Sequence, residues 1–314
     1  MAAHTQPGGH GTASFDPPRR LLTALGQVPG EPARRWLEDL PAIVERQLAT
    51  WELSAPRVVN PGGRGSMVVL VTQADGTPAA LKFPAPGPDA APEAEALRRW
   101  DGWGAVRLLR HDPPTGALLL ERLHESVSLR SLPEAKALLE AAGTVRRLWV
   151  EPPAGHGFRS VAEVTAEAVP VLRSPDAGPR AREARPLLDE ALELRAALTA
   201  DAPEELLLHG DFQQGKVLSG ERAPWLAVGP APLVGERAYD LARLVLDRFE
   251  DVAAGSGPAA VLRRRVTRLA DSLEVDRERL RGWALYRAAE LGLRRLAAGE
   301  RARGELLLEF AGWL

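Results

Sequence analysis

The stretch that decides the reading runs from Leu206 to Leu218, "LLLHGDFQQGKVL". Its three leucines form a run short enough for a buried strand and too short for a core helix. His209, Gly210 and Asp211 then turn the chain and leave one carboxylate at the end of an apolar element. Downstream, "PWLAVG" (224–229) is a second short apolar piece, and the two are expected to pair as a hairpin. On its own, Asp211 would read as a turn-capping carboxylate. What marks the stretch is Lys216, five residues on. Of 40 Lys plus Arg, only Lys82, Lys136 and Lys216 are lysines, so lysine is not a surface filler in this chain.

Upstream, Trp36, Leu37, Leu40, Ile43, Val44, Leu48 and Trp51 recur at helical spacing and predict an amphipathic helix from about Glu31 to Trp51. The segment "RVVNPGGRGSMVVLVTQADGTPAALKF" (57–83) predicts three strands. A glycine-rich turn at Gly62, Gly63 and Gly65 leads into Ser66–Thr72, and the tight turn Ala74-Asp75-Gly76 leads into Pro78–Phe83. A Pro/Gly loop then precedes a helix over Glu93–Trp100. Two more strands follow in "AVRLLRHD" (105–112) and "GALLLERL" (116–123). Residues 52–123 thus read as an antiparallel sheet with one inserted helix.

Beyond Leu123 the pattern is helical: about Leu132–Leu148, Ser160–Leu172, Ala181–Leu198, Tyr239–Phe249, Ala259–Ser272 and Asp276–Ala298. The segment Ser174–Arg185, rich in Pro, Gly and Arg, reads as an exposed loop. Strands first and helices after predict an α+β chain of two lobes. The boundaries are a disordered tail over 1–16, an N-terminal lobe over 17–123 with a hinge at about 121–124, and a helical C-terminal lobe over 124–314.

The 314 residues suffice for a sizeable core, and the composition, 45% hydrophobic and 26% charged, is ordinary for a globular protein. A net charge of −2 gives no long-range field to favour nucleic acid or an anionic membrane. No cysteine is present, which excludes disulfide and thiol chemistry and suits a reducing cytoplasm. The opening residues contain no apolar segment of the signal-peptide kind, and no apolar run approaches a membrane span.

The blocks "GGRGSMVV" (62–69), "ADGTPAALKF" (74–83), "EAEALRRWDGWGAVRLL" (93–109), "GALLLERL" (116–123), "LLLHGD" (206–211) and "PLVGERAYDLA" (232–242) occur in one order. In that order the chain, from about residue 20 to its end, resembles the aminoglycoside/hydroxyurea phosphotransferase family. The streptomycin 6-phosphotransferases are the nearest in pattern. The resemblance implies a bilobal protein-kinase-like fold, a small-molecule ligand, and a link to antibiotic resistance or secondary metabolism. It implies that Gly62, Gly63, Gly65 and Ser66 cover the phosphates of ATP with backbone N–H groups. Lys82 would contact the phosphates and pair with Glu93, or with Glu95 as the fallback. Glu121 and Leu123 resemble the hinge that holds adenine. Asp211 would orient and deprotonate the acceptor hydroxyl, His209 would pack, and Asp240 would hold the loop from a helix start.

Two positions depart from that resemblance. The family reads H-G-D-x-x-x-G-N-V-L, then I-D-P thirteen residues after the Asn. In ungapped register, Lys216 stands at the Asn position and Gly229 at the Asp position, so both side-chain magnesium ligands are lost. A charged amine about 4 Å from a divalent ion opposes it by about 8 kcal/mol at an effective dielectric near 20. Magnesium takes oxygen ligands, which lysine does not offer. The expectation is therefore a pseudokinase or repurposed small-molecule or nucleotide-binding protein, with an active ATP-dependent phosphotransferase as the alternative. Lys216 would either pair with Asp211, serve as counter-ion to phosphates, or stand beside a weakly held ion. For the ligand, Asp247, Glu250, Asp251 and Glu290 are candidate acidic contacts, with Trp283 and Tyr286 as stacking surfaces. The many arginines nearby (Arg263, Arg264, Arg265, Arg281, Arg287) make an anionic or neutral ligand as well matched as a cationic sugar.

Overall fold

The computed structural model describes residues 15–26, 31–87, 90–173 and 182–314. Two compact units divide the chain. The first comprises Met1–Ala90 and Leu109–Arg122, the second Ala91–Leu108 and Leu123–Leu314.

The first unit is a sheet backed by helices. Strands β1 (Ser54–Val58), β2 (Ser66–Thr72), β3 (Pro78–Pro84), β4 (Leu108–Asp112) and β5 (Ala117–Glu121) lie in the order β1-β2-β3-β5-β4. Pairing of β1 with β2, β2 with β3 and β3 with β5 is antiparallel. Alternation assigns Met67, Val69 and Val71 of β2, and Ala79, Leu81 and Phe83 of β3, to one face. Helix α1 (Arg19–Gly26) and helix α2 (Glu31–Thr50) cover that face. Leu40, Val44 and Leu48 of α2 recur every four residues and enter the same core, each contributing about 1.5–3 kcal/mol by burial. Phe15 is buried in this core, so the expected disordered tail over 1–16 does not include it; residues 1–14 lie outside the described residues. An aromatic side chain with a core to enter gains more from burial than the chain loses in entropy there.

Helix α3 (Ala90–Trp100) and the turn after it group with the second unit, whereas the sequence alone places them in a lobe over 17–123. Hydrogen bonds explain the assignment. Trp100 donates its indole N–H to the Leu148 carbonyl at 2.8 Å, and Arg99 donates to Glu151. Val106 N–H donates to Ala227 at 2.9 Å, Ala227 N–H donates to Gly104, and Arg222 donates to the Gly102 and Ala105 carbonyls. The chain otherwise changes unit at Arg122/Leu123, inside the expected hinge.

The second unit is mainly helical. Its described helices include α4 (Glu134–Val145), α5 (Val161–Ala166), α6 (Val169–Arg173), α7 (Arg185–Ala200), α8 (Arg237–Val245), α9 (Phe249–Ala254), α10 (Pro258–Leu273), α11 (Arg277–Ala297) and α12 (Arg301–Gly312). Most of the expected loop over 174–185 lies outside the described residues, and α7 begins at its last residue. Helix α12 was not expected. Strands β6 (His124–Ser128), β8 (Val217–Ser219) and β9 (Leu226–Ala227) form one small sheet, and β7 (Leu206–Leu208) pairs with β10 (Leu233–Gly235) in another.

This pairing corrects the expected hairpin. Leu206, Leu207 and Leu208 face Gly235, Val234 and Leu233, while Leu226 and Ala227 pair with Leu218 and Val217. Strands of two or three residues carry no period, and "LVG" (233–235) is as buried as "LA" (226–227). Among the described residues, no helix is long and apolar enough to cross a membrane.

Candidate functional site

The loop after β7 is built from below by α8. Glu236, which precedes that helix, is buried and accepts hydrogen bonds from Arg279 at 2.6 Å and from the Trp283 indole at 2.6 Å, tying α8 to α11. One turn in, buried Asp240 accepts from the backbone N–H of His209 at 3.0 Å, that of Gly210 at 2.8 Å, and the Trp149 indole at 3.2 Å. Burial pushes the Asp240 carboxyl up to about 6, with those N–H groups opposing the rise. Asp240 thus holds the loop from a helix start, as expected.

Gly210 has φ +76°, and a Cβ there would stand 1.8 Å from the Ala231 carbonyl oxygen, so the turn admits only glycine. His209 is fully buried, with its ring nitrogen Nε2 3.2 Å from the Val228 carbonyl and Phe212 edge-on at 5.5 Å. It packs rather than reaching solvent.

The turn presents Asp211 to two cations. Lys216 Nζ lies 2.6 Å from Oδ2, and Arg243 Nε lies 2.8 Å from Oδ1. Gln213 donates to both oxygens at 3.3 Å. Lys216 also donates to the Gly229 carbonyl at 2.8 Å, so one ammonium joins both positions of the sequence departure. Gly229 has φ +60°, a left-handed conformation that aims this carbonyl inward. Burial by itself raises the Asp211 pKa, but the charges of Lys216 and Arg243 outweigh it and hold the carboxyl well below the usual range.

Arg243 was missed by sequence reasoning. It lies three residues after Asp240 on α8, so both share one face of the helix. That i, i+3 spacing in "YDLAR" (239–243) was the available signal. Arg287 of α11 is a third cation beside the loop. It donates to the Tyr239 hydroxyl and lies 3.5 Å from the Gly210 carbonyl, stacked over the Tyr239 ring at 4.7 Å. Burial lowers its pKa, but Tyr239, Glu290 and Asp211 raise it further.

Glu290, one turn beyond Arg287, is largely buried, pairs with Arg294 at 2.9 Å and acts on Tyr239 and Tyr286. Asp247 is not an open ligand contact. It is buried and holds Arg130 at 3.0 Å, the Gln214 N–H at 2.5 Å and the Arg248 N–H at 3.0 Å. Glu250 pairs with Arg303 at 2.7 Å. Trp283 and Tyr286 are fully buried, the first bonded to Glu236 and the second to the Thr165 carbonyl at 3.0 Å, so neither presents a stacking face. Aromatic residues at helical spacing on α11 went to the core of the second unit.

In the first unit, Gly62, Gly63 and Gly65 form the connection between β1 and β2, with Ser66 opening β2. The Ala85 N–H donates to the Gly65 carbonyl at 2.9 Å, which ties this turn to the end of β3. Lys82 is buried on β3, opposite Val68, and Glu121 ends β5. In the second unit Glu93 is buried and Glu95 half-buried on α3, and Leu123 is buried beside Gly220.

The model of the aminoglycoside/hydroxyurea antibiotic resistance kinases matches residues 50–299. The chain is 36% identical over 289 residues to the streptomycin 6-kinase of Streptomyces glaucescens, covering 91% of this chain and 92% of that one. It is 37% identical over 295 residues to the hydroxyurea phosphotransferase of Kitasatospora aureofaciens, covering 92% and 82%. Among solved structures, aminoglycoside phosphotransferase APH(4)-Ia aligns with a TM-score of 0.60 at 15% identity, over 86% of this chain and 96% of that one. A thermostable mutant of it is solved in ternary complex with ADP and hygromycin B (TM-score 0.56, 15% identity, 86% and 97% covered). At such identity the likeness is one of fold, and it is the kinase-like fold that the sequence led us to expect. The chain belongs to the aminoglycoside/hydroxyurea antibiotic resistance kinase family.

Proposed function

We propose that this protein keeps the ligand-binding fold of its family but does not perform magnesium-dependent phosphotransfer, and serves as a pseudokinase or repurposed binder of a small molecule or nucleotide in antibiotic chemistry. One observation carries this reading: the Lys216 ammonium lies 2.6 Å from Asp211 and 2.8 Å from the Gly229 carbonyl.

Two features speak against a divalent ion at that place. Magnesium is held through oxygen ligands, and here the two positions that would supply them are an amine and a glycine. The carboxylate that remains, Asp211, already carries Lys216 and Arg243. A carboxylate held so far below its usual pKa is also a poor proton acceptor, because base strength falls with pKa. Nucleotide contacts by Gly62, Gly63, Gly65, Ser66, Lys82, Glu93, Glu121 and Leu123 belong to the same proposal, supported by family membership and by the ADP complex of a fold neighbour.

A second reading has its own support. The streptomycin 6-kinase and hydroxyurea phosphotransferase relatives share more than a third of their residues with this chain over about nine-tenths of its length. On that reading the protein is an active ATP-dependent kinase of streptomycin, hydroxyurea or a similar hydroxyl-bearing small molecule.

Thermal melting with ATP, with and without magnesium, together with a radiolabel transfer assay on streptomycin and hydroxyurea, separates the two. Transfer to neither compound and no magnesium-dependent rise in melting temperature is the expected result. Steady turnover that requires magnesium overturns the pseudokinase reading in favour of the second.

A further inference from the structure

Asp211 is outnumbered by the cations around it. Lys216, Arg243 and Arg287 face one partly buried carboxylate, with Glu290 beyond Arg287 and Asp240 turned into the loop's own backbone. The donors are not exhausted. Lys216 spends two of its three N–H bonds on Asp211 and Gly229. Arg243 bonds Asp211 through Nε, and its two terminal nitrogens make no hydrogen bond among the described residues. Arg287 Nε is buried without a partner. Lys216 and Arg243 keep 30% and 19% of their side-chain surface exposed, so solvent reaches both.

The two cations sit on opposite oxygens of one carboxylate, so their nitrogens lie no more than roughly 8 Å apart, within the span of one tetrahedral oxyanion that accepts from both. From this geometry we infer that Lys216 and Arg243 form a metal-free oxyanion site that takes a phosphate group, with Asp211 as its built-in competitor. This rests on the reading that no divalent ion occupies the place. The phosphate is held by two fixed charges instead of a cation brought from solution. In the free protein the Asp211 carboxylate satisfies those charges, and an incoming phosphate shares or displaces it. Phosphate recognition by Arg and Lys is strong because charge-assisted bonds add to charge neutralisation.

The test is calorimetric titration of the full chain, in EDTA, with inorganic phosphate and separately with ATP. Binding of either probe is expected, weakened at least tenfold by Arg243→Gln and by Lys216→Gln. Equal affinity for both probes identifies a phosphate-monoester site, and binding of ATP alone identifies a nucleotide's terminal phosphate; both outcomes support the site. The decisive variant is Asp211→Asn, which removes the competitor and keeps the shape. It is expected to tighten phosphate binding about tenfold, an effect that misfolding does not produce. Absence of binding in the wild type, or unchanged affinity in a folded Asp211→Asn, overturns the inference. Failure of the reading beneath it looks different: binding that appears only when magnesium replaces EDTA, in the wild-type protein.

Discussion

Arg243 places its Nε 2.8 Å from Oδ1 of Asp211, on the carboxylate oxygen opposite the one that Lys216 holds. The pairing makes Asp211 a stabilising ion in the folded protein, and its pH dependence has a definite sign. The folded pKa is depressed, so the contribution is present above the ordinary carboxylate pKa and is lost as pH falls below about 4. Replacing Arg243 by Leu should cost about 1–3 kcal/mol at pH 7, by leaving a largely buried carboxylate with one cation fewer. The same variant should lose less stability than the wild type on going from pH 5 to pH 3. Urea unfolding at the three pH values reads both effects, and parallel acid limbs would contradict the assignment.

Restoring the family's pattern tests the site from the other side. The double variant Lys216→Asn with Gly229→Asp supplies an amide oxygen and a carboxylate where an amine and a bare backbone now stand. It should acquire magnesium-dependent stabilisation by ATP, absent from the wild type and from either single variant. Gly229 has φ +60°, so Gly229→Asp alone is expected to lose about 1–2 kcal/mol of stability through left-handed strain. Differential scanning fluorimetry with ATP and magnesium checks both statements, and a double variant blind to magnesium removes the case for a lost metal site.

Much of the fold could be read in advance, because long elements carry a period. The apolar run "SMVVLVT" (66–72), bounded by glycine-containing turns, marks a buried strand, and the four-residue recurrence of Leu40, Val44 and Leu48 specifies a helix face. Short elements do not. The strands at 217–219, 226–227 and 233–235 are too brief to show which neighbour they pair with, and only the packed structure decides. The candidate site divides in the same way. Asp211, Lys216 and Gly229 are local in the chain and were legible by register. Arg243 comes from a helix 32 residues beyond Asp211; its i, i+3 spacing from Asp240 shows a shared helix face, but not which carboxylate that face meets. An aromatic on an amphipathic helix, such as Trp283, gives the same sequence pattern whether it meets a ligand or the core.

The turn at Gly210 is the least tolerant point of the loop. A Cβ would fall 1.8 Å from the Ala231 carbonyl oxygen, which is backbone and cannot rotate away. Gly210→Ala must therefore separate the 209–211 turn from the connection before β10, and it also imposes a side chain on a positive φ. A loss of about 3 kcal/mol or more is expected, seen as a lower urea midpoint or as insoluble expression. Gly215→Ala serves as the control. A Cβ there meets only the flexible Arg130 side chain at 3.5 Å, so that variant should stay within about 1 kcal/mol of the wild type.

Asp240 sets a second pH dependence of opposite sign to that of Asp211. Its folded pKa is raised, from 3.8 to about 6, chiefly by burial. The folded protein therefore binds more protons than the unfolded chain between those values, and stability from this group declines as pH rises from about 4 to 6. The decline is on the order of 3 kcal/mol, since each pKa unit corresponds to about 1.4 kcal/mol. Asp240→Asn removes the titration and puts an amide N–H₂ in place of one acceptor oxygen, facing either the Gly210 N–H or the pair from His209 and Trp149. The variant should be less stable than the wild type at every pH. Its deficit should be greatest near pH 4 and should shrink by up to about 3 kcal/mol by pH 7, because the wild type loses the protonated-state advantage that the variant never had. Urea midpoints for both proteins across pH 4 to 7 measure the difference directly. A deficit that grows with pH would mean that Asp240 is held as an anion by its donors, and that burial is not the dominant influence on it.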